Sequence, residues 1–126
     1  MARFLLICLG GAIGTGARYL VVVWMARTAG TGFPFGTLLV NASGSFLLGF
    51  LMQLSLFAPA ISADTRLMLG TGILGGFTTY SAFNYETLTL LREQAWGPAL
   101  VYAAATLIGC LAAGAAGIAM ARAVAQ

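Results

Sequence analysis

Four long apolar runs, separated by loops of a few residues, constrain what this 126-residue chain can fold into. They cover residues 4–26, 35–58, 67–91 and 96–120. Each is long enough, as a helix, to cross a hydrocarbon core of about 30 Å. The connecting stretches "RTAGTGFP", "PAISADTR" and "REQA" carry most of the charge. With 60% hydrophobic and 7% charged residues and a mean hydropathy of +0.96, an ordinary soluble domain is excluded. The fold class is therefore an all-α membrane protein. Four helices leave no room for another unit, so residues 1–126 read as a single four-span membrane domain. The opening "MARFLLICLGGAIG" has the look of a signal peptide, but the three later runs make it a first membrane anchor.

The six basic residues are all arginines, set against Asp64, Glu86 and Glu93, and there is no histidine. The arginines are dispersed, so no nucleic-acid partner is expected. Without histidine or clustered carboxylates, no acid–base or metal constellation can be assembled and the chain is not read as an enzyme. Cys8 and Cys110 lie in apolar runs without metal-ligand spacing, as free thiols that pack like small hydrophobes. An even number of spans places Arg3, Arg66 and Arg122 on one side and Arg27 and Arg92 on the other. That balance gives almost no orientation under the positive-inside rule, which permits insertion both ways and an antiparallel homodimer. A single orientation set by translocation is the alternative.

Small residues at four-residue spacing, Gly10 and Gly14 in the first span and Gly109, Ala113 and Gly117 in the fourth, predict close helix packing. In the second span Thr37, Asn41 and Ser45 fall at i, i+4 and i+8, a polar stripe on one face ending near Gly49. An amide such as Asn41 facing lipid would be unsatisfied, so it predicts either an interhelical hydrogen bond or a pore wall. Arg18, Asn41 and Glu86 are predicted toward the same membrane face at similar depth. There Arg18 and Glu86 would form an ion pair or line a watery vestibule.

The third span holds the strongest signal, "GTGILGGFTTYSAFNYE" at residues 70–86. Gly70, Gly72, Gly75 and Gly76 weaken the helix, and β-branched Thr78 and Thr79 follow. A break near residues 75–79 would free backbone groups in mid-membrane. Such groups are tolerated only when buried in protein, lining water or holding an ion. Beyond the break, Tyr80 and Phe83 share a face with Asn84 and Thr87 nearby. Aromatic ring edges carry the positive part of the quadrupole, so they could attract a small anion without trapping it.

"GGAIGTGARY", "GTLLVNASGSFLLG" and "GTGILGGFTTYSAFNYE" closely resemble the signature regions of the CrcB/Fluc fluoride channel family, across essentially the whole chain. The resemblance implies a passive fluoride-selective channel in the bacterial inner membrane that exports cytoplasmic fluoride. It also implies an antiparallel dual-topology homodimer in the bilayer, with two fluoride pores and a central structural sodium ion. By position, the sodium ligands would be the backbone carbonyls of Gly75 and Thr78. The pore residues would be Asn41, Tyr80, Phe83, Ser81, Thr79 and Tyr102, with Arg18 and Glu86 in the vestibule. The family pattern usually reads "TTFSTFS" where this chain has "TTYSAFN", so Tyr80, Ala82 and Asn84 are departures that bear on throughput. Two other classes compete. A proton-coupled small multidrug exporter of the four-span dimer class needs a deep carboxylate, for which Glu86 is the only candidate. A non-transporting scaffold would explain the packing glycines but not the broken polar span.

Overall fold

The computed structural model describes residues 1–57 and 61–125, and it is helical throughout apart from short turns. α1 (Ala2–Ala29), α2 (Phe35–Phe57) and α6 (Trp96–Val124) are each long and apolar enough to cross a membrane. The third segment is composite. It runs as α3 (Ala63–Arg66), a π-helical stretch (Leu67–Leu74) and α4 (Gly75–Phe77), and resumes after Thr78 and Thr79 as α5 (Tyr80–Arg92). The predicted end of the second span at Ala58, and Pro59 and Ala60 of the following loop, lie outside the described residues.

The boundaries have local causes. α1 ends where Gly30 takes a positive φ of 82°, a conformation that glycine adopts without a Cβ clash. The third segment starts at Ala63 rather than the predicted Leu67, because the Ser62 hydroxyl accepts the Thr65 N–H at 3.1 Å and caps the turn. Arg3 and Asp64 pair across the starts of α1 and α3 at 2.8 Å, the one ion pair among the described residues. Both side chains are exposed, so the pair adds little stability. At the other end, α6 runs to Val124, beyond the predicted residue 120.

Two glycine seams hold the bundle. Along the first, α1 lies on the π-helical stretch and α4. A Cβ on Gly10 would sit 2.8 Å from the Met68 carbonyl oxygen, one on Gly14 would run into that of Ile73, and one on Gly76 would lie 2.6 Å from that of Gly11. The π-helical turns thus coincide with a glycine-rich stretch pressed backbone-to-backbone against α1. Along the second seam α2 meets α6, with Gly49 against Gly114 and Gly117 against Phe46. The fourth-span expectation is corrected in part. A Cβ on Gly109 would meet nothing within 4 Å, because eight residues rotate it about 80° from Gly117. Gly114 and Gly117 make the close contacts instead.

Candidate functional site

The break in the third segment is a two-residue extension rather than a flexible gap. Thr78 (φ −77°, ψ 156°) and Thr79 (φ −153°, ψ 117°) are both extended. β-branched residues favour that conformation. The Thr78 N–H and hydroxyl both donate to the Leu74 carbonyl at 3.0 Å and close α4. The Thr79 hydroxyl accepts the Ala82 N–H at 3.2 Å and opens α5.

Asn41 fills the gap. Its Oδ1 accepts the Thr79 N–H at 2.7 Å and its Nδ2 donates to the Thr79 carbonyl at 2.9 Å, with all these groups buried. One side-chain amide thus satisfies both polar groups of a residue that belongs to neither half-helix. The interhelical bond expected of Asn41 is present, and it is made to backbone. The diversion has a consequence for Gly75, since the N–H that would have continued the helical ladder to its carbonyl is now bound to Asn41.

On the opposite flank, Arg18 reaches from α1 to donate to the Thr78 carbonyl at 3.4 Å, and Thr15 donates to that of Gly76 at 3.4 Å. Arg18 and Asn41 therefore meet at the same level, one on each side of the break. Glu86 does not join them, and the Arg18–Glu86 pair considered from sequence is not formed. Glu86 lies seven residues past Thr79, about 10 Å further along α5. Its Oε1 accepts from the Thr37 hydroxyl at 2.7 Å and its Oε2 from the Tyr102 hydroxyl at 2.6 Å. Both oxygens of a carboxylate at span depth are thereby satisfied by neutral donors.

Two cavities lie along this polar line. The first, about 310 Å³, is near the α1–α2 loop, and Thr37, Glu86, Thr89 and Glu93 contribute its polar wall. The second, about 370 Å³, opens at the break itself, lined by Asn41, Ser45, Thr78, Thr79, Tyr80, Phe83, Thr106 and Cys110 among others. Its wall contains neither a carboxylate nor a basic side chain. Rings link the two. Tyr80 and Phe83 are tilted at 5.6 Å between centroids, Phe83 and Tyr102 at 5.2 Å, and Phe33 meets Tyr102 edge-on at 5.5 Å. Tyr102 is fully buried and Tyr80 is 78% exposed. Ser81 shares a hydrogen bond with Thr79 at 3.2 Å. Ser45 turns back to donate to the Asn41 carbonyl at 2.7 Å.

The family profile described as "CrcB-like protein, Camphor Resistance (CrcB)" matches residues 5–118. The chain belongs to the CrcB family. A protein named fluoride-specific ion channel FluC from Anaeromyxobacter dehalogenans is 58% identical over 113 residues, 90% of each chain. Proteins of the same name from Sorangium cellulosum and Caulobacter vibrioides are 47% and 45% identical, each over at least 96% of both chains. The CrcB family is one of ion channels, not of enzymes, and this member is a multi-pass membrane protein.

Sequence reasoning missed three features of this CrcB chain's site. Phe33, in a loop, extends the ring series behind Tyr102, and nothing in a short Gly/Pro-containing stretch marks such a contact. Thr106 is only 8% exposed and its hydroxyl has no partner. Cys110 borders the same cavity. The available signal was spacing, because Tyr102, Thr106 and Cys110 stand at i, i+4 and i+8 on α6 and share a face.

Proposed function

We propose that the protein is a passive fluoride-selective channel of the inner membrane that lets cytoplasmic fluoride leave the cell. The observation that carries this reading is the cavity at the break in the third segment, lined by an amide, hydroxyl-bearing residues and aromatic rings, with no charged side chain among them. Fluoride is small and tightly hydrated, so its water must be replaced by hard donors, yet binding must stay weak enough for release. A lysine or arginine in the wall would trap it. The second Nδ2 hydrogen of Asn41 and the rings of Tyr80 and Phe83, which border the cavity, are suited to that task. The names of the relatives support the same ion.

The single four-span domain works as an antiparallel dual-topology homodimer with two pores. In one protomer Thr71, Gly75, Tyr80, Ser81 and Asn84 are exposed around the break. Polar groups at that depth facing lipid are costly, and a second copy would cover them. Labelling of a C-terminal tag in sealed membranes should reach both faces. Labelling confined to one face would exclude the dual topology.

The residues at the break fit a sodium ion at the dimer axis. Carbonyl oxygens are hard donors, the Gly75 carbonyl has lost its helical partner to Asn41, and its face is open to a second copy. The carbonyls of Gly75 and Thr78 from both subunits would hold the ion, which would supply positive charge to fix two broken helices together. Arg18 shares the Thr78 oxygen from the protein side.

The aromatic wall is tested by initial fluoride efflux from proteoliposomes. Tyr80→Phe should keep fluoride flux, since the ring edge and most of the shape survive. Tyr80→Leu and Phe83→Leu should lose most of it, because an aliphatic group fills space without a positive edge. Equal rates in all three would mean that the rings only pack.

A further inference from the structure

A third cavity lies where α2 ends and α3 begins, at the end of the bundle away from Glu86 and Tyr102. It is an open groove of about 470 Å³, floored by Leu48, Gly49, Met52 and Leu56 of α2. Ile118 of α6 and Arg66 at the end of α3 also border it, with Gln53 and Ser55 adding polar atoms. Leu48, Met52 and Leu56 stay exposed, and the floor from Leu48 to Ser55 runs about 10 Å along α2. None of these residues lines the cavity at the break.

Arg66 is the one basic residue that lines any of the three cavities described. Its neighbour Asp64 does not offset it, because Asp64 pairs with Arg3. A second arginine stands at the same level. α2 and α6 run in the same direction, and Gly117 packs against Phe46 and Phe50. Arg122, five residues further on, therefore comes level with residues 51–55 of α2. It stands one turn past Ile118 on the same helix face. Neither Arg66 nor Arg122 has an ion-pair partner among the described residues. The polar groups thus gather toward the helix ends, while Leu48 and Gly49 lie deeper.

We propose that this groove holds one anionic phospholipid per protomer, with its phosphate on Arg66 and Arg122 and an acyl chain along Leu48, Met52, Leu56 and Ile118. A guanidinium fork matches the paired oxygens of a phosphate, and basic pockets between membrane helices suit anionic head groups. The apolar floor sets the rest of the ligand. A free phosphate would leave it uncovered, whereas an acyl chain covers it while the head stays at the helix ends. A zwitterionic lipid fits less well, because its ammonium group would sit beside two arginines with no carboxylate free to receive it. The site stands apart from the fluoride-channel reading and requires only that the chain lies in a bilayer.

Native mass spectrometry of the full-length protein from neutral detergent, offered phosphatidylglycerol and phosphatidylcholine together, tests the site. The wild type should retain phosphatidylglycerol in clear preference to phosphatidylcholine. Arg66→Gln and Arg122→Gln should each bind it about fivefold more weakly, the effect of one basic side chain at an anionic surface. Their melting without lipid should match the wild type, and either variant suffices if the other fails to fold. Arg27→Gln removes one charge at the opposite end and should bind as the wild type does. Glycerophosphoglycerol, the same head without acyl chains, and inorganic phosphate should not displace the lipid. Equal retention of the two lipids, or equal weakening by Arg27→Gln, would reduce the effect to general surface charge and overturn the site. Displacement by the bare head or by phosphate would overturn the part given to the groove. A wild type that retains no lipid would overturn the proposal, the result expected if a second copy of the chain covers the groove.

Discussion

Asn41→Leu protein should unfold at a markedly lower temperature in detergent than the wild type and carry no measurable fluoride. Leucine has the same number and branching of side-chain heavy atoms as asparagine, though it is bulkier, and it offers no polar atom. Its substitution leaves the Thr79 N–H and carbonyl, bound now at 2.7 and 2.9 Å, without partners in a buried site. Each unsatisfied group costs about 1–3 kcal/mol, so the two together remove a substantial share of the roughly 5–15 kcal/mol by which a domain is stable. The break can recover one bond only by letting the Thr79 N–H return to the Gly75 carbonyl, which would close the helix and collapse the cavity. Asn41→Asp separates the two contributions. It keeps an acceptor for the Thr79 N–H but places carboxylate charge beside the Thr79 carbonyl, so it should also lose flux. Wild-type melting and flux in Asn41→Leu would show that the amide does not hold the break open.

Gly14 gives the second large effect. Its missing Cβ lets α1 rest on the third segment, where an added methyl would run into the Ile73 carbonyl and come within 2.8 Å of the Phe77 N. Both are backbone atoms within rigid helices, so the helices themselves must part. Overpacking of this kind costs about 1–3 kcal/mol for alanine and more for valine. Gly14→Val should fail to give monodisperse protein, and Gly14→Ala should melt lower than the wild type. Gly16→Ala is the control two residues away, where a Cβ meets nothing within 4 Å. There alanine should be neutral or slightly stabilising, because it favours helix over glycine. Equal melting of the two alanine variants would remove the seam from the account.

Much of this arrangement was legible in the sequence because its cause is local. The i, i+4, i+8 spacing of Thr37, Asn41 and Ser45 follows from helix geometry alone, and the glycines before Thr78 and Thr79 announce the break. The partner of Asn41 was not legible, since backbone atoms offered by an extended pair look like any other backbone in sequence. Nor was the choice of Thr37 and Tyr102 over Arg18 as partners of Glu86, which depends on how far α5 is turned. Gly109 and Gly114 are alike as letters, and only the rotation of α6 against α2 selects between them. The π-helical stretch leaves no periodic signature that separates it from an α-helix over eight residues. The orphaned hydroxyl of Thr106 was hidden for a related reason. A lone threonine in an apolar span reads as one that bonds its own helix, and here it does not.

The central claim is that the cavity at the break conducts fluoride and not larger halides. Purified wild-type protein in liposomes loaded with potassium fluoride or potassium chloride, with valinomycin added to carry the compensating potassium, measures it directly. The account predicts rapid release of fluoride and chloride retention close to that of protein-free vesicles. Equal release of both ions, or release of neither, would contradict it.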